Sequence, residues 1–143
     1  MPTESVKRVL CGGSQIKALP ADLGLTILRL FAGLALALGH GLDKMLPSQM
    51  FIDMVSAMGF PAPTFFAWSA ALSELVGGLL LAIGLFTRPA ALFILTTMGV
   101  AAFMHHGADP FKDQELALIY GAVALVFLFS GGGRLSLDHF LRC

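Results

Sequence analysis

Two ionisable side chains, Arg29 and Glu74, stand deep inside apolar stretches of this chain. A charge at that depth is costly unless it faces protein or water, so each needs a partner. Counted from one common side, Arg29 lies about 10 Å and Glu74 about 18 Å into their stretches at about 1.5 Å per helical residue. A long arginine side chain covers the difference, so the sequence predicts an Arg29–Glu74 ion pair inside the protein. Such a pair can lock helix register, because losing one partner leaves an uncompensated charge, or it can belong to a functional site.

A second group gathers where apolar stretches end. His40, Asp43 and Lys44 follow the first stretch, His105 and His106 the third, and Glu115 and Tyr120 fall early in the fourth. Histidines from two helices at one level suit haem iron or a transition metal, and a histidine–carboxylate group suits proton exchange with a quinone head. Without any ExxH or HExxH spacing, no metal site is expected, no cofactor signature is evident, and quinone ranks above haem. The plainer account is that polar residues mark helix ends because the interface is wet.

Both groups must be carried by long apolar elements. The chain is 57% hydrophobic and 13% charged, whereas soluble domains are about half apolar and about a quarter charged. A soluble domain of this size would leave much of that excess exposed, which points to lipid. Zero formal net charge provides no basic stripe, which sets nucleic acid aside. Cys11 and Cys143 belong to no CxxC spacing, so neither thiol exchange nor structural zinc is indicated, and a disulfide between two cytoplasmic tails is disfavoured.

Residues 1–22 read as a polar tail, followed by apolar stretches at 23–41, 64–86, 89–105 and 114–131. A span needs about 20 residues, with about 17 as the lower limit. Pro63-Thr64 suits one helix start, Thr87-Arg88-Pro89 breaks the second stretch from the third, and Gly131-Gly132-Gly133 stops the fourth. The run 23–39 starts late and lacks a small-x-small site, so it reads as a retained helix rather than a cleaved signal. The stretches have no period-2 alternation and are rich in Leu and Ala, which makes strands a poor alternative. The expected fold is all-α: an integral membrane four-helix bundle. Between the first two spans, Phe51, Met54, Val55 and Met58 recur at helical spacing, predicting a short amphipathic helix.

Lys7, Arg8, Lys17, Arg88, Arg134 and Arg142 fall on one side of four spans, and Lys44 and Lys112 on the other. The positive-inside rule therefore puts both termini in the cytoplasm and the histidine-bearing loops outside. Gly77 and Gly78, one turn from Glu74, together with Gly33 and Gly84, offer smooth faces for helix packing or for gathering copies of the chain.

The order Arg29…Gly33…Gly39-His40-Gly41-Leu42-x-Lys44, Glu74-x-x-Gly77-Gly78…Gly84-x-x-Thr87-Arg88, His105, Glu115…Tyr120 and Gly133-x-x-Ser136-Leu137-Asp138 resembles the DoxX family. The resemblance spans residues 23–138, leaving 139–143 as a short tail. It implies a bacterial inner-membrane protein grouped with oxidoreductases, because related subunits accompany quinone-linked thiosulfate oxidation and terminal oxidases. The sequence departs from thiol-exchanging relatives in lacking paired cysteines. The leading expectation is a membrane subunit of a redox system, offering a quinone-facing pocket or anchoring a partner oxidoreductase. A non-enzymatic bundle that binds or moves a small solute, and a structural helper, are the alternatives.

Overall fold

The computed structural model describes residues 19–141. Cys11, Cys143 and residues 1–18 of the expected tail lie outside the described residues. Among the described residues, four helices are long and apolar enough to cross a membrane: α1 (Leu19–Lys44), α3 (Pro63–Ile83), α4 (Thr87–His105) and α5 (Phe111–Ser130). Two short helices accompany them, α2 (Gln49–Ala57) between the first two spans and α6 (Leu137–Phe140) after the last. No strand occurs among the described residues. The protein is an all-α membrane bundle.

Phe31, Phe93 and Phe129 are each more than 60% exposed, as lipid-facing side chains must be in a bundle whose solvent is hydrocarbon. The core is narrow and built from Leu36, Leu81, Ile94, Met98, Ala124 and Phe127. Lipid gives helices no hydrophobic reason to associate, so close backbone approach must supply contact. A Cβ on Gly33 would stand 2.5 Å from the Gly78 carbonyl oxygen and 2.7 Å from the Ala82 nitrogen, which places the α1–α3 crossing at these residues. Gly77 instead faces Ile94 of α4.

The helix ends differ from the apolar stretches by a few residues. α1 runs on through Gly39-His40-Gly41 to Lys44, and α5 begins at Phe111 because Pro110 precedes it as N-cap, ahead of the apolar run. α3 stops at Ile83, since Gly84 (φ 72°) and Phe86 (φ 47°) are both left-handed and turn the chain into α4. Gly84 forms this turn, and a Cβ there would stand 2.6 Å from the Ser136 Cβ and 2.7 Å from the Arg29 Cζ. Ser48 caps α2 by accepting a hydrogen bond from the Phe51 amide at 3.3 Å.

Three spans contain a wide π-helical turn: Ala37–Gly41 in α1, Ser73–Gly77 in α3 and Ala101–His105 in α4. Such turns shift the side chains beyond them around the helix axis and are frequent at functional sites. The first two face each other, with Gly41 against the Leu75 backbone. They hold His40 and Glu74.

Candidate functional site

Lys44 Nζ donates to both oxygens of Glu74, at 2.6 and 2.9 Å. The Glu74 side chain is 2% exposed and that of Lys44 is 35% exposed, so the carboxylate is fixed while the ammonium has a way out to water. The pair links the end of α1 to the middle of α3. It corrects the expected Arg29–Glu74 pair, and the reason is geometric. Helical Cα–Cβ bonds tilt toward the N-terminus. In the antiparallel pair α1 and α3, that tilt sends Arg29 toward the end holding the described termini and Glu74 toward the opposite end.

Arg29 is buried and donates to the carbonyl oxygens of Ala82 (3.3 Å), Leu135 (2.8 Å) and Gly132. It ties the glycine loop after α5 to the last turn of α3. Asp138 secures the same loop: its carboxylate accepts from the amides of Phe86 (2.8 Å) and Thr87 (3.0 Å) and from the Thr87 hydroxyl (2.7 Å). Buried Asp22 accepts from the Arg134 amide at 3.0 Å. Arg29 thus sits in a structural knot, and Glu74 belongs to the histidine end of the bundle.

On one side of the Lys44–Glu74 pair lies a cavity of about 570 Å³. Phe51 and Met54 of α2 and Met58 just after it roof it, while Phe66 of α3 and Phe93 of α4 form apolar walls. Phe93 and Thr96 also line it and are exposed, so its mouth opens sideways, toward lipid. At its polar end are Lys44, Glu74, His105, His106 and Ser73. Ser69, Thr96 and Thr97 each return their hydroxyl to the carbonyl one helical turn back. The Ser73 hydroxyl, in the wide turn, is buried and has no hydrogen-bond partner among the described residues. An unmet buried hydroxyl is costly, which makes it a place for a ligand acceptor or donor.

On the other side is a smaller vestibule of about 190 Å³, also lined by Lys44 and Glu74 and completed by His40, His106, Asp113 and Tyr120. His40 stands edge-on to Tyr120 with ring centroids 5.9 Å apart. His106 is held by Asp109 at 2.8 Å, and its ring centroid is 4.3 Å from that of His105.

Two expected members of this group stand elsewhere. Glu115 and Asp43 are exposed and line neither space. The lining face of α5 runs Asp113, Leu116, Ala117, Tyr120, and a residue at 115 points about 200° away from 113 at about 100° per residue. Asp43 is likewise one residue off the Leu36, His40, Lys44 face of α1. Asp113 was readable by stepping back from Tyr120 at helical spacing, but its neighbour Glu115 fell nearer the apolar stretch. Among the described residues, no three His, Cys, Asp or Glu side chains are grouped to hold a metal ion.

This arrangement of charge, wide turns and apolar cavity falls in a segment with known relatives. The DoxX domain pattern matches residues 24–107, well over half of the chain. The chain belongs to the DoxX family. The matched segment carries Arg29, His40, Lys44, Glu74 and both histidines at the end of α4, while the DoxX pattern leaves Asp113 and Tyr120 of α5 outside it.

Inner membrane protein YphA of Escherichia coli is 32% identical over 109 residues, 69% of this chain and 77% of that protein. The Mycobacterium tuberculosis membrane protein Rv3486 is 35% identical over 133 residues, 78% of this chain and 77% of that protein. An uncharacterised Haemophilus influenzae protein is 42% identical over 77 residues, 49% of this chain and only 58% of that protein's own length. CatD of Bacillus subtilis, provisionally named an oxidoreductase, is 29% identical over 121 residues, 84% of this chain and 88% of CatD. No solved structure matches the chain.

Proposed function

We propose that this DoxX-family protein is the membrane subunit of a redox system and holds a quinone head in the cavity beneath α2. The observation that carries the reading is an apolar space of about 570 Å³, open toward lipid and ending on the buried carboxylate of an ion pair and an unpartnered Ser73 hydroxyl. A lipophilic ring with polar oxygens matches both parts of that space: apolar walls take the ring and chain, and few polar groups fix its orientation. Lys44 and Ser73 would face the oxygens, with His105 and His106 at the rim. A quinone would supply two-electron chemistry, and the name of CatD gives the same direction to the reading.

The electron-transferring cofactor is assigned to a partner oxidoreductase that this subunit anchors. The proposed location is the bacterial inner membrane with the Lys44 end facing outward. Excess Lys and Arg on the opposite side and the name of YphA support this placement.

Purified protein in phosphatidylcholine nanodiscs, titrated with a short-chain ubiquinone, tests the binding. Saturable quenching of the single tryptophan, Trp68, is expected, and it should be lost in Ala70→Phe, which fills the cavity. Linear, non-saturating quenching that is identical in the two proteins counts against the reading, as does a preparation from native membranes from which no quinone can be extracted.

A further inference from the structure

We infer that the vestibule is the proton outlet of the cavity, with the Glu74 carboxyl as the carrier between them. The inference rests on the quinone reading only for what the cavity holds. The argument itself stands on the position of Glu74, which lines both spaces and is nearly sealed from solvent, with Lys44 as its bonded partner. The two spaces differ in kind. The cavity is walled by phenylalanine and methionine, whereas the vestibule gathers His40, His106, Asp113 and Tyr120 around the same carboxylate.

α1 presents His40 and Lys44, α5 presents Asp113 and Tyr120, and the end of α4 presents His105 and then His106. α2 contributes no titratable side chain to the cavity, because exposed Asp53 instead accepts from Gln49 at 2.8 Å. Among the described residues, the titratable groups other than Glu74 on the cavity side are Lys44, His105 and His106 at its rim, and His106 also lines the vestibule, where His40, Asp113 and Tyr120 continue the set away from Glu74. Its 190 Å³ has room for several waters at about 30 Å³ each, enough to bridge the side chains.

What moves is a proton alone. On the cavity side a ligand hydroxyl O–H bond breaks, its electron pair staying on the ligand oxygen, as an O–H bond forms at a Glu74 carboxyl oxygen and the charge holding Lys44 is neutralised. The O–H bond then breaks as vestibule water or His40 Nε2 or Nδ1 takes the proton, and the Lys44–Glu74 pair closes again. No oxidant enters this step. Lys44 is suited to the part because its exposed share lets the ammonium turn to water while Glu74 is neutral. Tyr120, both donor and acceptor, lies beside His40 to pass the proton on.

Infrared difference spectroscopy on the full chain in phosphatidylcholine nanodiscs tests this without any turnover assay. Stepping the pH should reveal a carboxylic-acid carbonyl band that is absent from Glu74→Gln, and its hydrogen–deuterium exchange gives the access rate. Ala117→Phe, which fills the vestibule and alters no titratable group, should slow that exchange by about tenfold or more, a barrier rise of about 1.4 kcal/mol. Ala70→Phe, which fills the cavity, should leave it unchanged. The volume-preserving pair His40→Phe with Tyr120→Phe must also slow exchange, which covers the case in which Ala117→Phe does not fold.

A Glu74 band that never appears while the protein remains folded overturns the inference. So does exchange slowed by Ala70→Phe rather than Ala117→Phe, or unchanged exchange in the His40/Tyr120 variant. Loss of quinone binding with vestibule-dependent exchange intact would strike the proposed function alone. Quinone binding with exchange indifferent to the vestibule would strike this inference alone.

Discussion

Replacing Arg29 with methionine keeps much of the aliphatic stem and removes every guanidinium donor. It strands the carbonyl groups of Ala82, Gly132 and Leu135 and withdraws a cation that attracts Asp22 and Asp138. A hydrogen bond to a charged group is worth about 1.5–3 kcal/mol, so three of them give about 4–9 kcal/mol as an upper figure. The Ala82 bond is long, at 3.3 Å, and the three share one donor group. The lower part of the range, about 4–6 kcal/mol, is therefore expected.

That loss is comparable to the entire stability margin of about 5–15 kcal/mol in an ordinary domain. Thermal unfolding in detergent micelles should show it, together with loss of amide-exchange protection in the loop 131–138. Arg29→Lys should recover little, because a single ammonium cannot fork to three carbonyls in different directions. A midpoint falling by less than about 4 °C, equivalent to about 1 kcal/mol for a chain of this size, would refute the reasoning. Combining Arg29→Met with Glu74→Gln adds a second check. The two sites lie toward opposite ends of the bundle, so their costs should add, and a coupling above about 1 kcal/mol would restore the Arg29–Glu74 pair.

Lys44→Met leaves the Glu74 carboxylate buried without its partner. It should cost about 2–3 kcal/mol, at or below the lower end for buried pairs because the Lys44 side chain is 35% exposed. A double-mutant cycle with Glu74→Gln should return most of that cost as coupling, and additive effects would count against the pair. Gly33→Ala forces a methyl against the α3 backbone and should lower stability by about 2 kcal/mol or more in detergent unfolding. Gly24→Ala, with nothing within 4 Å of the new carbon, should instead be neutral or gain up to about 1 kcal/mol. Asp138→Ala removes the acceptor for two amides and a hydroxyl at the start of α4 and should cost about 2 kcal/mol, read by the same unfolding assay.

The sequence by itself determined the four spans, their short connections and the amphipathic α2. Each of these follows from local rules: an apolar run long enough for the bilayer, a proline or glycine at its end, and phenylalanine and methionine at helical spacing. It also marked Arg29 and Glu74 as groups that needed partners and placed Lys44 in the polar group where the spans end. Tertiary structure decided which partner each one took. Depth counted along a chain ignores the tilt of side chains toward their helix N-termini, and in antiparallel helices that tilt separates residues that appear level.

The wide turns were equally invisible, since no residue pattern announces the i→i+5 hydrogen bonds that re-aim His40 and Glu74. Rotation about each helix axis then settled the rest, turning Asp113 into the vestibule and Glu115 out of it. Composition determined that this chain enters a membrane. Helix direction and rotation decided that its buried charge pair lies between an apolar cavity and a polar vestibule.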